Sequence, residues 1–526
     1  MKNWFKSNYI FLTIMLLAAF FRFWQIKTLP GGLFPDEAAN GLDINSIFNG
    51  DIQPFYERGN GREALFFYLL AIPVYLFGRG PWQHHIVSAG IGLLEVAACY
   101  YLARKLFNQR VAILSSFFMA TSSYAVTLSR TAFRANLVPL FTTLTILFLV
   151  KMFTDQGAKK RILAGILAGI NFGLGFYTYI SYRMMIPLLF GFAVLVLIAT
   201  RDSWKQYYYE YKKPILAFKL SWLVSVAWIA YYWFVLNPGS FVGRAGHVSI
   251  FSKDLNNGDI VGTFIEVFKK TMWSFFTNGD LNWRHNVSGF PFLSPMISPF
   301  FAVALVVFTL SFLLFLKDVL FKKLNYATFA KAVIAVLFWF MLVPEVTTAE
   351  GIPHGLRLIG VIPAIFIMAA WGVDKFWQVA SSYISNRQAK FAVTAVFLLC
   401  IFVYNFYLYF GVAANSSEYY YAFRSDLTTV SDYLNQRNLK AKTYLSLDKF
   451  SVQTVDYFTT ATGNPYTLLD PANTYQVRLK SGDEVVFTQS TIFDSKRFRQ
   501  AHPRAELIRQ DKNRFGEVIM EVYRQP

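Results

Sequence analysis

Apolar residues in this chain come in blocks separated by short polar stretches. The blocks lie at about 9–26, 82–103, 111–128, 136–153, 162–180, 184–200, 214–236, 295–316, 331–345, 357–373 and 391–411. Most are close to the 20 or so residues that an α-helix needs to cross a bilayer. Strict alternation of apolar and polar residues, the mark of a membrane β-barrel, is missing from them. The pattern predicts a polytopic α-helical membrane protein with about eleven spans. The run "ALFFYLLAIPVYLFG", 64–78, is short for a span and contains Pro73. It reads as an interfacial or re-entrant helix inside a first outer loop, 27–80.

The polar stretches set the expected topology. "ARKLFNQR", "KMFTDQGAKKR", "RDSWKQYYYEYKK", "KDVLFKK" and "SNRQAK" are short and basic, which marks the cytoplasmic side. The alternation then places the N-terminus in the cytoplasm and a second long outer loop at 237–294. It holds only if 64–78 does not cross. The start, "MKNWFKSNYIFLTIMLLAAFFRFW", has a basic beginning and an apolar run with no small-residue cleavage site after it, so it is expected to stay as the first helix.

From about residue 415 the pattern changes. "FRSDLTTVSDYLNQRNLKAKTYLSL" reads as a helix then a strand, and "SVQTVDYFTTATG" as another helix. "DEVVFTQ" and "EVIMEVYRQ" alternate like strands. The expected organisation is a transmembrane domain, 1–414, followed by a small extracytoplasmic α/β domain, 415–526.

Composition narrows the class further. The chain of 526 residues is 55% hydrophobic and 18% aromatic, with only 15% charged residues, which no ordinary soluble protein combines. The net charge of +19 invites a nucleic-acid reading. That reading fails, because the basic residues sit between apolar blocks rather than on one face or tail. Cys99 and Cys400 both lie inside apolar blocks, with no disulfide or metal spacing.

The unusual polar residues gather on the side expected to be outer. Asp36 and Glu37 follow the first span in "GGLFPDEAANGLDINSIFNG". Arg130 and Arg134 close the third, four residues apart and so on one helix face. Tyr177, Tyr179, Tyr182 and Arg183 lie between the fifth and sixth; Asp280, Arg284 and His285 sit in "NGDLNWRHNVSGFP". Glu350, His354 and Arg357 precede the tenth. Arginines at this depth suit a lipid-linked phosphate, and a carboxylate suits proton removal from an attacking hydroxyl or amine. Each residue also has a plain reading. A lone Asp caps a helix, an Arg snorkels to headgroups, and a loop His makes hydrogen bonds. No His or Cys partner stands at ligand spacing, so no metal site is assigned. A divalent cation held by carboxylates stays open, as does a substrate-binding role for Asp280, Arg284, His285 and His354. "GNGRE", 59–63, carries a turn signal only, and no P-loop, dinucleotide fingerprint or Ser-His-Asp order is present.

Five stretches together carry a resemblance: "FPDEAANGLD", "SRTAFRANLVPLF", "YTYISYRMMIPLL", "GDLNWRHN" and "HGLRLIGVIPAI", in that order, between the first span and about residue 375. The sequence resembles the GT-C fold membrane glycosyltransferases that use polyprenyl-phosphate sugars, in the group of the protein O-mannosyltransferases and lipid A aminoarabinose transferases. The resemblance implies transfer of a sugar from a polyprenyl phosphate to an acceptor at the outer face of a cell membrane, with inversion. It maps the catalytic base to Asp36 and the second acid to Glu37, though either carboxylate could serve. It gives donor-phosphate or lipid binding to Arg130, Arg134, Tyr177, Arg183 and Arg357. No β-trefoil repeat of the protein mannosyltransferases is present, which favours a bacterial member. The acceptor stays open among protein, lipid and glycan. Two other classes compete. A transporter or lipid flippase would carry matching halves with polar residues at mid-membrane, and neither is evident. A non-catalytic scaffold would leave the acid and the arginines without a task.

Overall fold

A computed structural model describes residues 2–59, 61–241, 249–321, 325–437 and 441–526, with side chains from residue 9 onward. Residues 242–248 of the expected outer loop and Asn60 of "GNGRE" lie outside these ranges.

Among the described residues, eight helices are long and apolar enough to cross a membrane. They are Pro81–Leu106, Arg134–Thr154, Ile180–Ala199, Trp204–Leu236, Ser298–Leu320, Tyr326–Val346, Ile359–Tyr383 and Arg387–Asn415. The block at 111–128 forms two helices, Gln109–Thr121 and Ser123–Ser129, bent by 63°. Ser122 leaves helical geometry at the break, and the Asn405 side chain accepts the Ser123 N–H at 2.9 Å. Helices Lys2–Phe23 and Ala158–Gly175 occupy the two remaining apolar blocks. Leu65–Phe77 is a short apolar helix with Pro73 inside it. The chain is a polytopic α-helical membrane protein with a small C-terminal sheet region.

Two compact units divide the chain. The first comprises Met1–Trp24, Gln53–Phe66 and Ile86–Ala413. Its core gathers Phe118, Tyr124, Ile334, Phe338, Ile365 and Phe366. Helix Ile362–Ala380 is buried along most of its length, whereas Trp204–Tyr231 exposes Leu220, Val224 and Trp228, as a lipid-facing helix does. Gly165, Gly169 and Gly173 let helix Ala158–Gly175 lie directly on Trp204–Tyr231; a Cβ at Gly165 or Gly169 would overlap its backbone, and one at Gly173 would overlap the Ser225 side chain. A two-residue antiparallel ribbon, β1 (Phe55–Tyr56) and β2 (Arg62–Glu63), pairs Phe55 with Glu63.

The second unit comprises Gln25–Ile52, Phe67–His85 and Ala414–Pro526. Its sheet holds β3 (Thr443–Ser446), β4 (Thr467–Leu469), β5 (Glu484–Thr488), β6 (Glu506–Lys512) and β7 (Val518–Arg524), in the order β4-β3-β5-β7-β6. β3, β4 and β5 run parallel; β6 and β7 run antiparallel. Leu427, Val430, Leu445, Val455, Val486 and Val522 form one core cluster, and Val485, Phe487, Phe498 and Tyr523 another. Alternating positions of β5 thus feed separate clusters, as pleating requires.

Candidate functional site

Within the second unit, helix Pro35–Phe48 carries the Asp-Glu pair in its first turn. Pro35 starts the helix, where its missing N–H costs nothing. Phe34 at the cap has no side-chain oxygen to offer. Glu37 makes up half of the deficit: its Oε2 accepts the Phe34 N–H at 2.9 Å. Its Oε1 lies 3.3 Å from His85 Nε2, and both side chains are fully buried. Asp36 is one position along and therefore points elsewhere; its side chain is exposed.

The same helix is pinned to residues far along the chain. Gly41 sits under the ring of Tyr457, and a Cβ there would overlap it. The Tyr457 hydroxyl is hydrogen-bonded to His84 Nε2 at 2.9 Å, and burial raises its pKa above the ordinary tyrosine range. The Thr454 hydroxyl donates to the Leu33 carbonyl at 3.1 Å, just before the helix. Phe34 packs on Phe450. The small and apolar residues of "LFPDEAANG" thus serve helix Val452–Thr459, while Asp36 is left on the surface.

Within the first unit, a carboxylate joins two of the expected arginines. Glu63, at the end of β2, is buried. Its Oε1 accepts from Arg183 Nη2 at 2.9 Å, and its Oε2 lies 3.2 Å from Arg134 Nε. Both arginines stand in 3-10 turns, Arg134–Asn136 and Ile180–Met184. Arg183 lies between the rings of Trp233 and Phe241, 4.7 and 4.5 Å away, and also donates to the Phe241 carbonyl. Arg134 lies over Tyr179 at 5.3 Å. Two guanidiniums share one carboxylate, so this trio keeps one positive charge. Sequence reasoning saw only a turn in "GNGRE". The available signal was an acid next to an apolar helix, opposite arginines that had already been singled out.

Arg130 and Tyr177 are placed differently. The Arg130 Nη1 donates to the carbonyls of Phe21, Arg22 and Trp24 at 3.1, 3.1 and 2.9 Å, closing the end of the first helix. Its guanidinium also lies over Tyr409, at 5.3 Å. The Tyr177 hydroxyl accepts the Ile229 N–H at 3.1 Å, and its carbonyl accepts the Leu65 N–H at 3.1 Å. Arg357 pairs with Glu350, 3.5 Å away, and donates to its carbonyl.

The remaining candidates form a third cluster. Asp280 Oδ1 accepts the Asn282 N–H at 2.7 Å; Oδ2 accepts the Gly355 N–H at 2.8 Å and lies 2.8 Å from His285 Nδ1. The rings of His285 and His354 lie against each other, centroids 4.4 Å apart and tilted by 32°. Burial holds His285 below the usual histidine range, against the pull of Asp280, and holds His354 well below it. Both imidazoles are therefore neutral at pH 7. The His354 N–H donates to Glu345 Oε1 at 2.8 Å. Glu345 also escaped the sequence reading, although an acid inside the apolar run "FMLVPEV" is costly and stands out for that reason. The Arg284 side chain donates to Asn282, and its carbonyl accepts the Thr131 hydroxyl at 3.0 Å.

Residues 64–231 match the family model described as dolichyl-phosphate-mannose-protein mannosyltransferase. The structure of ArnT from Cupriavidus metallidurans bound to undecaprenyl phosphate superposes on 98% of this chain and 98% of its own, with a TM-score of 0.51 and 13% identity. The chain has a GT-C glycosyltransferase fold. A second GT-C structure, the Archaeoglobus fulgidus oligosaccharyltransferase tethered with an acceptor peptide, spans 100% of this chain and 75% of its own at 11% identity, with a TM-score of 0.49. No curated protein sequence matches the chain. At these identities the GT-C likeness fixes the fold, and the chemistry has to be argued from the residues.

Proposed function

We propose that the chain is a membrane glycosyltransferase. It moves a sugar from a polyprenyl-phosphate donor to an acceptor at the outer face of the membrane, with inversion and with Asp36 as general base. The observation that carries this reading is the division of labour in the Asp-Glu pair. Glu37 is buried and committed to the Phe34 N–H and to His85, while Asp36 is exposed at the head of a rigidly anchored helix. A base must reach its proton directly or through one water, which an exposed carboxylate can do.

The step is a single displacement. The acceptor oxygen or nitrogen attacks the anomeric carbon as the bond to the phosphate oxygen breaks. The bonding pair leaves with the phosphate, and the acceptor proton goes to Asp36. Attack from the side opposite the leaving group inverts the centre. General-base help of this kind is worth about 10²- to 10⁴-fold.

Arg134 and Arg183 bind the donor phosphate. Their support is that two guanidiniums meet at the single carboxylate of Glu63, and that aromatic rings hold both in place. Preorganised cations of this kind stabilise a leaving phosphate by about 3–4 kcal/mol each. Arg130 and Tyr177 keep helix ends in register. Arg357, paired with Glu350, is a weaker phosphate candidate. The acceptor is a protein, a lipid or a cell-envelope glycan. The extracytoplasmic placement of the C-terminal region follows the basic-loop pattern.

The test uses membranes holding wild type or Asp36→Asn at equal levels, supplied with polyprenyl-phosphate donors bearing labelled sugars and native envelope extract. Wild type moves label out of the donor lipid and Asp36→Asn does not. Equal release by both removes Asp36 from the base role.

A further inference from the structure

We propose that the face of helix Trp204–Tyr231 carrying Lys205, Lys212 and Lys219 binds the phosphate headgroup of an anionic bilayer phospholipid. It lies at the end that the basic-loop pattern assigns to the cytoplasm, away from the proposed base and donor-phosphate groups. It does not depend on the reading of Asp36.

Spacing and length carry the argument. Successive lysines are close to two helical turns apart, so the three stand above one another on one face. The helix has 28 residues and is about 42 Å long, against about 30 Å of hydrocarbon. Its apolar run begins at Pro214, which leaves 204–213 in the headgroup layer. Lys219 therefore starts inside the acyl region, about 10 Å deeper than Lys212. A lysine at that depth is costly and marks a functional position. Helical side chains lean toward the N-terminus, so Lys219 snorkels back to the level of the phosphates.

These cations are uncommitted. All three are exposed, and none forms an ion pair among the described residues. Glu210, the one acid of the helix, is taken by Arg161 of helix Ala158–Gly175 at 2.5 Å. That neighbouring helix covers the opposite face, at Pro214, Phe218 and Ser221, and leaves the lysine face open. Trp204, Tyr208 and Tyr209 are exposed beside the lysines, and Lys212 Nζ lies over the Tyr209 ring at 4.8 Å. Such amphipathic rings belong at the headgroup level. Deeper in the same helix Leu216, Leu220 and Leu223 are exposed. Cations above a leucine strip match an anionic headgroup above its acyl chains. A soluble anion would leave the strip unused, and a second copy would set lysine against lysine.

The test measures lipid binding on the whole purified chain, without any sugar transfer, so its failure would leave the proposed function untouched. Dioleoylphosphatidylglycerol or dioleoylphosphatidylcholine is titrated onto the detergent-solubilised chain, and bound lipids are counted by native mass spectrometry. Wild type binds the first phosphatidylglycerol at least about 10-fold more tightly than phosphatidylcholine. Each lysine near an anionic headgroup contributes about 5-fold. Lys212→Gln combined with Lys219→Leu therefore loses about 25-fold for phosphatidylglycerol and nothing for phosphatidylcholine. Lys212→Arg combined with Lys219→Arg keeps the preference, and so does Arg387→Gln combined with Lys390→Gln at another basic loop. All these positions lie outside the core, and matched Tm values confirm folding. Equal affinity of wild type for both lipids would overturn the site. So would a Lys212→Gln, Lys219→Leu variant that keeps the preference, or an equal loss in the Arg387, Lys390 variant. A wild type found only as a lipid-free dimer would also overturn it, by placing a second copy on this face.

Discussion

Glu37 and His85 stand 3.3 Å apart, both fully buried, one residue along the chain from an exposed Asp36. The pair separates two acids that the sequence leaves equivalent. Glu37 has a structural task, so Glu37→Ala removes the capping carboxylate that accepts the Phe34 N–H. The expected cost is about 1–3 kcal/mol, read as a lower Tm of purified protein. Asp36→Asn is a surface change and is expected to stay within about 0.5 kcal/mol of wild type. A Tm drop in Asp36→Asn with none in Glu37→Ala would reverse these assignments.

Gly41 is the next element of the same device. Gly41→Ala forces a methyl group into the ring of Tyr457, which cannot swing away because it is buried and bonded to His84. Overpacking of this kind costs about 1–3 kcal/mol. Tyr457→Phe keeps the ring and removes only the hydrogen bond, leaving His84 Nε2 without its partner; a loss of about 1–3 kcal/mol is expected. Thermal unfolding of both variants checks this, and an unchanged Tm in Gly41→Ala would contradict the packing.

Glu63 offers a charge-balance test. Glu63→Ala removes the carboxylate that Arg134 and Arg183 share, and removing one partner of a buried pair costs about 3–5 kcal/mol. Glu63→Ala combined with Arg183→Ala returns the net charge to that of the original trio. The double variant is therefore expected to be more stable than the sum of the two single losses, with a coupling of about 0.5–3 kcal/mol in a double-mutant cycle. Additive losses would mean that the three groups do not interact.

Arg183→Ala and Arg130→Ala separate phosphate binding from helix closure. Arg183→Ala is expected to lower transfer per folded molecule by about 10²- to 10³-fold. Arg130→Ala leaves the last carbonyls of the first helix unsatisfied, so its main effect is a loss of folded protein. Activity per folded molecule, measured after size-exclusion, distinguishes the two.

Much of the helical scaffold is legible in the sequence, because apolar blocks and basic loops report length and period directly. The block at 82–103 is helix Pro81–Leu106, and the run at 64–78 is helix Leu65–Phe77. "DEVVFTQ" and "EVIMEVYRQ" contain β5 and β7. The misses share one cause. The bend at Ser122 is fixed by Asn405, the task of Glu37 by His85, and the place of Glu63 by two arginines, all through contacts distant in sequence. β4 and β6 were not anticipated either: β4 has only three residues, and β6 is an exposed edge strand without alternation. Periodicity reports which side of an element is buried, not which partner covers it.

The most direct test of the central claim compares wild type and Asp36→Asn in membranes given labelled polyprenyl-phosphate sugars and native envelope extract. Equal protein levels and matched Tm values are confirmed first. Label should leave the donor lipid with wild type and fall by at least about 10²-fold with Asp36→Asn. Equal release by the two proteins, or no release by wild type from any donor, would contradict the account.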